Sequence, residues 1–128
     1  MKHLHTALQI KNESEITAFY ENILGFERQY DFILDDCLTE KIFGRKRQVK
    51  VFNIRREFVV LELFIDPHKE YSAAYTHICF GVSDKNEIIQ KAFKADFEVV
   101  EVQRIKGSVY FIKDYSGNIF EIKDVNIV

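Results

Sequence analysis

Apolar and polar residues alternate along several short stretches of the chain, a pattern that predicts β-strands. In the first stretch, residues 2–10, apolar side chains dominate one face, while His5, Ala7 and Gln9 share the other. The remaining strands are expected at residues 26–34, 48–55, 58–65, 75–82, 97–104, 109–113 and 118–124. Arg55 and Arg56 are the predicted turn residues between the third and fourth strands. They suit a tight hairpin poorly, so the boundary between these two strands is only loosely defined by the sequence.

Two stretches show the spacing of an amphipathic helix instead. Apolar residues recur three and four positions apart between Ile16 and Leu24, and again between Ile88 and Ala95. Ser14 is a candidate N-cap for the first helix, and Gly25 is suited to the left-handed residue that often follows a helix. Each helix therefore follows one strand and precedes three more.

The order of these elements occurs twice along the chain. It predicts two β-α-β-β-β modules, at about residues 1–66 and 75–128, joined by a linker, residues 66–74, that contains the only proline. Neither module could bury a sheet face alone, so one α+β domain is expected over residues 1–128.

Composition narrows the class of protein further. With 128 residues, 47% of them hydrophobic and 30% charged, the chain can build a core and is not disordered. Its 12 Phe and 6 Tyr without Trp favour sheets, and a net charge of −2 gives no reason to expect nucleic acid as a partner. No apolar run is long enough for a membrane span or a signal peptide, so a cytoplasmic protein is expected, with Cys37 and Cys79 as free thiols.

Four side chains fall at equivalent places in the two modules. His5 and His77 lie on the first strands, whereas Glu62 and Glu121 interrupt apolar runs on the last strands. A carboxylate in such a run is costly unless it is paired or binds a metal. Two imidazoles and two carboxylates form an N₂O₂ set suited to divalent Ni, Zn, Co, Mn or Fe, so these four residues are the predicted metal ligands.

Several motifs resemble the vicinal-oxygen-chelate superfamily, which includes glyoxalase I, methylmalonyl-CoA epimerase, fosfomycin thiol transferases and extradiol dioxygenases. The motifs are His5-Thr6-Ala7-Leu8, Phe19-Tyr20-Glu21-Asn22-Ile23-Leu24-Gly25-Phe26, Val60-Leu61-Glu62-Leu63, Tyr75-Thr76-His77-Ile78-Cys79-Phe80 and Asp114-Tyr115-Ser116-Gly117-Asn118-Ile119-Phe120-Glu121. The resemblance implies that the two modules form a curled, cup-shaped mixed sheet around a divalent metal. It also implies a homodimer, as in many members.

Within this family, Glu62 favours the four-ligand branch that contains glyoxalase I. The resemblance then implies a lyase or isomerase that acts on a thiol adduct of a small 2-oxoaldehyde, with Glu121 as the base and Glu62 as its partner. Gln9 stands where glyoxalase I usually has an arginine that helps to hold glutathione. This difference leaves the identity of the thiol open.

Other interpretations are compatible with the same residues. The protein could be an acyl-CoA epimerase, a thiol transferase that confers antibiotic resistance, a metal-free small-molecule-binding protein, or a structural module with coincidental ligand-like residues. The segment 41–56 has seven basic residues and no acid. It is either a solvated hairpin balanced by Asp31, Asp35, Asp36 and Glu40, or a clamp for carboxylates or phosphates of a thiol cofactor.

Overall fold

The protein is described here by a computed structural model that covers residues 1–68 and 75–125. The chain divides into two units between positions 69 and 70, which we call unit 1 and unit 2. Most of the linker predicted at 66–74 lies outside the described residues. No helix among those described is long and apolar enough to cross a membrane.

Unit 1 contains one four-stranded mixed sheet. Its elements, in chain order, are β1 (Thr6–Ile10), a π-helical segment (Ile16–Glu21), β2 (Glu27–Leu34), α1 (Asp36–Phe43), β3 (Val49–Arg56) and β4 (Val59–Ile65). The sheet order is β1-β4-β3-β2, in which β1 and β4 are parallel and the other neighbours are antiparallel. The first and last strands of the unit are therefore adjacent.

Unit 2 repeats this topology. It consists of β5 (Ile78–Val82), α2 (Lys85–Lys94), β6 (Glu98–Arg104), β7 (Gly107–Lys113) and β8 (Ile119–Asp124). The sheet order is β5-β8-β7-β6, again with its first and last strands parallel. The predicted α+β class with repeated β-α-β-β-β modules is confirmed.

Each unit buries one face of its sheet with aromatic and branched side chains. In unit 1, Phe19 and Tyr20 of the π-helical segment are fully buried, and their rings meet edge to face with centroids 5.1 Å apart. In unit 2, the rings of Phe80 and Phe120 stack at 5.5 Å on neighbouring parallel strands. Aromatic side chains thus contribute to the cores of both units.

The first helix differs in detail from the prediction. Its hydrogen bonds include Asn22 N–H to the Thr17 carbonyl, a five-residue step, so the segment is π-helical. Ser14 already lies in the first helical turn, and the predicted Ser14 cap is wrong. The buried carboxylate of Glu15 accepts hydrogen bonds from the amides of Lys11 and Asn12 instead.

One helix was not predicted from the sequence, and one turn lies at a different position from the predicted one. α1 was not predicted, yet it is capped by Asp35, whose side chain accepts the Leu38 amide at 2.9 Å, and it ends at the left-handed Gly44. The turn between β3 and β4 lies at Glu57-Phe58 rather than at Arg55-Arg56, with a φ of 53° at Glu57.

Candidate functional site

In unit 1, His5 and Glu62 form a close pair. His5 lies immediately before β1, one position outside the strand that was predicted to contain it, and Glu62 lies within β4. The parallel register places Ala7 opposite Glu62. His5 Nε2 lies 3.3 Å from Glu62 Oε1, with the histidine side chain 47% exposed and the glutamate 13% exposed.

Unit 2 repeats this arrangement with His77 and Glu121. His77 immediately precedes β5, and Glu121 of β8 lies opposite Cys79 in the parallel register. His77 Nε2 lies 3.7 Å from Glu121 Oε2, with side-chain exposures of 41% and 15%. The structure therefore brings the four predicted residues together as two pairs, one in each unit.

A backbone contact orients the His77 ring and selects its tautomer. Its Nδ1 lies 2.8 Å from the carbonyl oxygen of Tyr75, which can only accept, so Nδ1 carries the proton. When the ring is neutral, Nε2 then directs a lone pair towards the Glu121 carboxylate. A histidine that ligates a metal is typically oriented by such a bond from its other ring nitrogen.

The spacing of each pair suits two ligand atoms on one divalent cation. Metal bonds to histidine nitrogen and carboxylate oxygen are about 2.0–2.2 Å long, which separates neighbouring ligand atoms by about 3–3.5 Å. The distances of 3.3 and 3.7 Å require little or no adjustment to meet this range. The donor set therefore fits a divalent metal.

The surroundings of Glu121 differ from those of Glu62. Lys123 Nζ lies 3.5 Å from Glu121 Oε1, and the Phe111 ring meets the His77 ring at 5.9 Å. His77 and Phe111 also line a cavity of about 350 Å³. A separate cavity of about 360 Å³ in unit 2 lies beside α2. Sequence reasoning did not anticipate the lysine contact, although both residues lie two apart on β8 and so share a face.

Cys79 also lies beside this pair. Its side chain is exposed, so Cys79 is not a core packing residue. Partial burial of the thiol raises its pKa, and the neighbouring Glu121 charge raises it further. The thiol therefore stays protonated at neutral pH, which does not favour it as a nucleophile.

Comparison with known proteins identifies the family. The sequence model of the glyoxalase/bleomycin resistance protein/dioxygenase superfamily matches residues 2–122. The chain belongs to this superfamily. The family suggested by the sequence motifs is thus confirmed, and the paired histidine and glutamate positions lie within the matched range.

Solved structures of the superfamily share this fold. A glyoxalase family protein from Enterococcus faecalis is 20% identical with a TM-score of 0.70, over 94% of this chain and 95% of that one. The trypanothione-dependent glyoxalase I of Leishmania major is 20% identical with a TM-score of 0.73, over 97% and 86%. A variant of the fosfomycin resistance protein FosX from Listeria monocytogenes, in complex with Mn(II) and dihydroxypropylphosphonic acid, is 19% identical with a TM-score of 0.74, over 98% and 94%.

The basic segment, residues 41–56, contributes two arginine side chains to a cavity of unit 1. Arg45 and Arg47 line a cavity of about 260 Å³ together with Asp66, Phe43 and Phe64. Both arginines pair with Asp66, which follows β4, and not with the acidic residues that precede the segment in sequence. The interpretation of a hairpin balanced by those preceding acids is therefore wrong for these two arginines.

Proposed function

We propose that the protein is a metal-dependent lyase or isomerase of the glyoxalase I type. It acts by proton abstraction on a thiol adduct of a small 2-oxoaldehyde. The observation that carries this proposal is the repeated pair of an exposed histidine and a largely buried glutamate, at equivalent positions of the two units.

Four ligands are proposed for one divalent cation: His5, Glu62, His77 and Glu121. The presence of Glu62 supports this set over a three-ligand one, because its pairing with His5 matches that of Glu121 with His77. Known superfamily structures include one solved with Mn(II), which supports a divalent metal without fixing which one is used here.

When bound, the metal supplies Lewis-acid stabilisation of the negative charge that develops on the substrate oxygens. Glu121 takes the proton from the adjacent carbon and returns it to the neighbouring atom. The limited exposure of its side chain restricts water around the carboxylate, and Lys123 Nζ lies 3.5 Å from Glu121 Oε1. Glu62 is proposed as the partner carboxylate.

The reaction determines the product that would be detected. A hemithioacetal, formed by a thiol and methylglyoxal, loses one proton from its first carbon and gains one at the adjacent carbon. The hydroxyl proton on the first carbon passes to the oxygen on the second, so the first carbon becomes the thioester carbonyl and the second carries a hydroxyl group. Atoms and electrons balance without an external oxidant. A cytoplasmic homodimer remains the prediction for its location and assembly.

The deciding experiment combines metal analysis with an assay for the product. Purified protein is analysed for bound divalent metals, then supplied with Ni²⁺, Co²⁺, Zn²⁺, Mn²⁺ or Fe²⁺ and assayed with methylglyoxal and a panel of low-molecular-weight thiols. Absorbance of the thioester reports turnover. We expect about one metal per chain and thioester formation with at least one thiol.

Two results would argue against the proposal. Protein that binds none of these metals would favour a metal-free binding module. Metal-loaded protein that is inactive in this assay but epimerises an acyl-CoA, or transfers a thiol to fosfomycin, would assign it to another branch of the superfamily.

A further inference from the structure

The cavity of unit 1 combines an apolar wall with a cationic rim. The wall includes Phe43 of α1 and Phe64 of β4, whose rings meet edge to face at 5.5 Å. The rim is formed by Arg45 and Arg47, which lie between α1 and β3, and by Asp66. Two guanidinium groups and one carboxylate give this rim a formal charge of +1.

The two arginines hold Asp66 loosely. Arg45 Nη1 lies 3.6 Å from Asp66 Oδ2, and Arg47 Nη1 lies 3.6 Å from Asp66 Oδ1. Charge-assisted hydrogen bonds between such groups are usually about 2.7–2.9 Å long. The carboxylate also accepts the His68 amide at 2.9 Å. Asp66 is therefore well anchored, whereas the arginine side chains, 51% and 39% exposed, can turn towards another anion.

This cavity adjoins the His5–Glu62 pair on the same face of the sheet. Glu62 and Phe64 lie two residues apart on β4, so their side chains share a face, separated by about 7 Å along the strand. Gln9 lies opposite Phe64 in the register and also lines the cavity. The arginine rim lies beyond Phe64, near Asp66, so the metal-ligand pair and the rim lie at opposite ends of one strand segment.

We propose that this cavity is the subsite for the anionic end of the substrate, a carboxylate or phosphate carried on a short apolar chain. Arg45 and Arg47 bind the anion and release part of their contact with Asp66, while Phe43 and Phe64 pack against the chain. This proposal rests on the proposed function, which assigns the reaction to the other end of the same substrate. At about 260 Å³ it is smaller than the roughly 300–1,000 Å³ typical of drug-sized ligands, so it suits one arm of a metabolite.

A purely structural role for the arginines makes different predictions. If the Asp66 contacts serve only to hold the segment before β3, then replacing either arginine lowers thermal stability and leaves ligand preference unchanged. If they form an anion subsite, then Asp66 competes with the ligand. Its removal as Asp66→Asn, which keeps an acceptor for the His68 amide, would then strengthen anion binding.

The test measures binding of three probes to the purified full-length chain by titration calorimetry. The probes are phenylbutyrate, its uncharged analogue phenylbutyramide, and phenylpropyl phosphate. We expect the carboxylate or the phosphate to bind at least about tenfold more tightly than the amide, and the better of the two identifies the anion. Equal binding of all three probes, or no binding at all, would overturn the proposal.

Matched variants test whether Arg45 and Arg47 cause the preference for the anionic probes. Arg45→Gln and Arg47→Gln should each reduce the preference for the anion about fivefold or more, and Asp66→Asn should increase it by up to about fivefold. Lys46→Gln, an exposed lysine between the two arginines, is the control and should change it less than about twofold. Loss of stability in the arginine variants with an unchanged preference would establish the structural role instead.

The same titrations on Glu62→Gln separate this subsite from the proposed reaction. The anion preference of Glu62→Gln should match that of the wild type. In the wild-type protein, failure of metal binding or of thioester formation with an intact anion preference would overturn the proposed function alone. Metal binding and turnover without any anion preference would overturn the subsite alone.

Discussion

Glu62 Oε1 lies 3.3 Å from His5 Nε2 because the first and last strands of unit 1 pair in parallel. The two residues are far apart in sequence, and each is unremarkable alone. The same pairing of β5 with β8 brings His77 to Glu121. A strand topology that occurs twice has thus built two matching donor pairs.

Replacement of His77 by alanine should weaken metal binding at least about tenfold, because one nitrogen ligand is lost. His68→Ala is the matched control, since that residue contributes its backbone amide to Asp66 and belongs to neither pair. Isothermal titration with Zn²⁺ or Ni²⁺ measures both affinities. Equal affinities in the two variants would contradict the assignment of His77 as a ligand.

Removal of metal should destabilise the protein. A ligand that binds only the folded state at a hundred times its dissociation constant stabilises it by about 2.7 kcal/mol. We therefore expect a chelator to lower Tm of the wild-type protein and to leave Tm of a His5→Ala/His77→Ala variant nearly unchanged. Differential scanning fluorimetry checks this, and an equal Tm decrease in both proteins would point to a metal site elsewhere.

Glu121→Gln should abolish most turnover while retaining much of the metal affinity. Glutamine keeps an oxygen donor but cannot accept the proton, and loss of a general base costs about 10²–10⁴ in rate. Parallel measurement of kcat and of metal affinity separates the two effects. Glu62→Gln provides the comparison and should reduce kcat less, and the reverse order would assign the base to Glu62.

The strands and the equivalent positions of the two histidines and two glutamates were accessible from sequence because their signals are local or repeated. Alternation fixes which face of a strand each side chain occupies, and the second module supplied an independent copy of the first. Glu62 in particular stood out because its neighbours Leu61 and Leu63 are apolar, and both are buried.

Features without a local apolar pattern escaped prediction. In α1, Leu38, Ile42 and Phe43 are all at least 44% exposed, so this helix has no buried stripe that apolar spacing could reveal. The contact of Arg45 and Arg47 with Asp66 depends on where β4 ends relative to the segment before β3. The sequence showed the charge of these arginines, whereas their partner could be found only from the fold.

Gly25→Ala should destabilise unit 1 by about 1–2 kcal/mol. Gly25 has a φ of +73°, a left-handed conformation that costs a residue with a Cβ about this much. An added Cβ would lie 3.7 Å from Arg56 Nη1, an ordinary contact, so the cost comes from backbone conformation rather than from a clash. Chemical denaturation measures the difference. Gly44 has a φ of +72°, and no atom of residues 1–68 or 75–125 lies within 4 Å of an added Cβ. Gly44→Ala should therefore show a similar loss if backbone conformation is the cause.

The stability contribution of Tyr110 should depend on pH through Glu101. The Glu101 carboxylate accepts hydrogen bonds from Ser108 Oγ at 2.6 Å and from the Tyr110 hydroxyl at 3.0 Å, and these bonds lower its pKa in the folded protein. A lowered folded-state pKa gives stability that is present above the ordinary carboxyl pKa of about 4.3 and is lost as the pH falls through the folded value.

Tyr110→Phe retains the ring beneath Lys85 Nζ, so it removes chiefly the hydroxyl. We expect the Tm difference between wild type and this variant to be present at about pH 7 and to shrink towards about pH 3, whereas Tyr30→Phe on β2 serves as the control. A difference for Tyr110→Phe that stays constant over this range would show that the hydroxyl acts independently of the Glu101 charge.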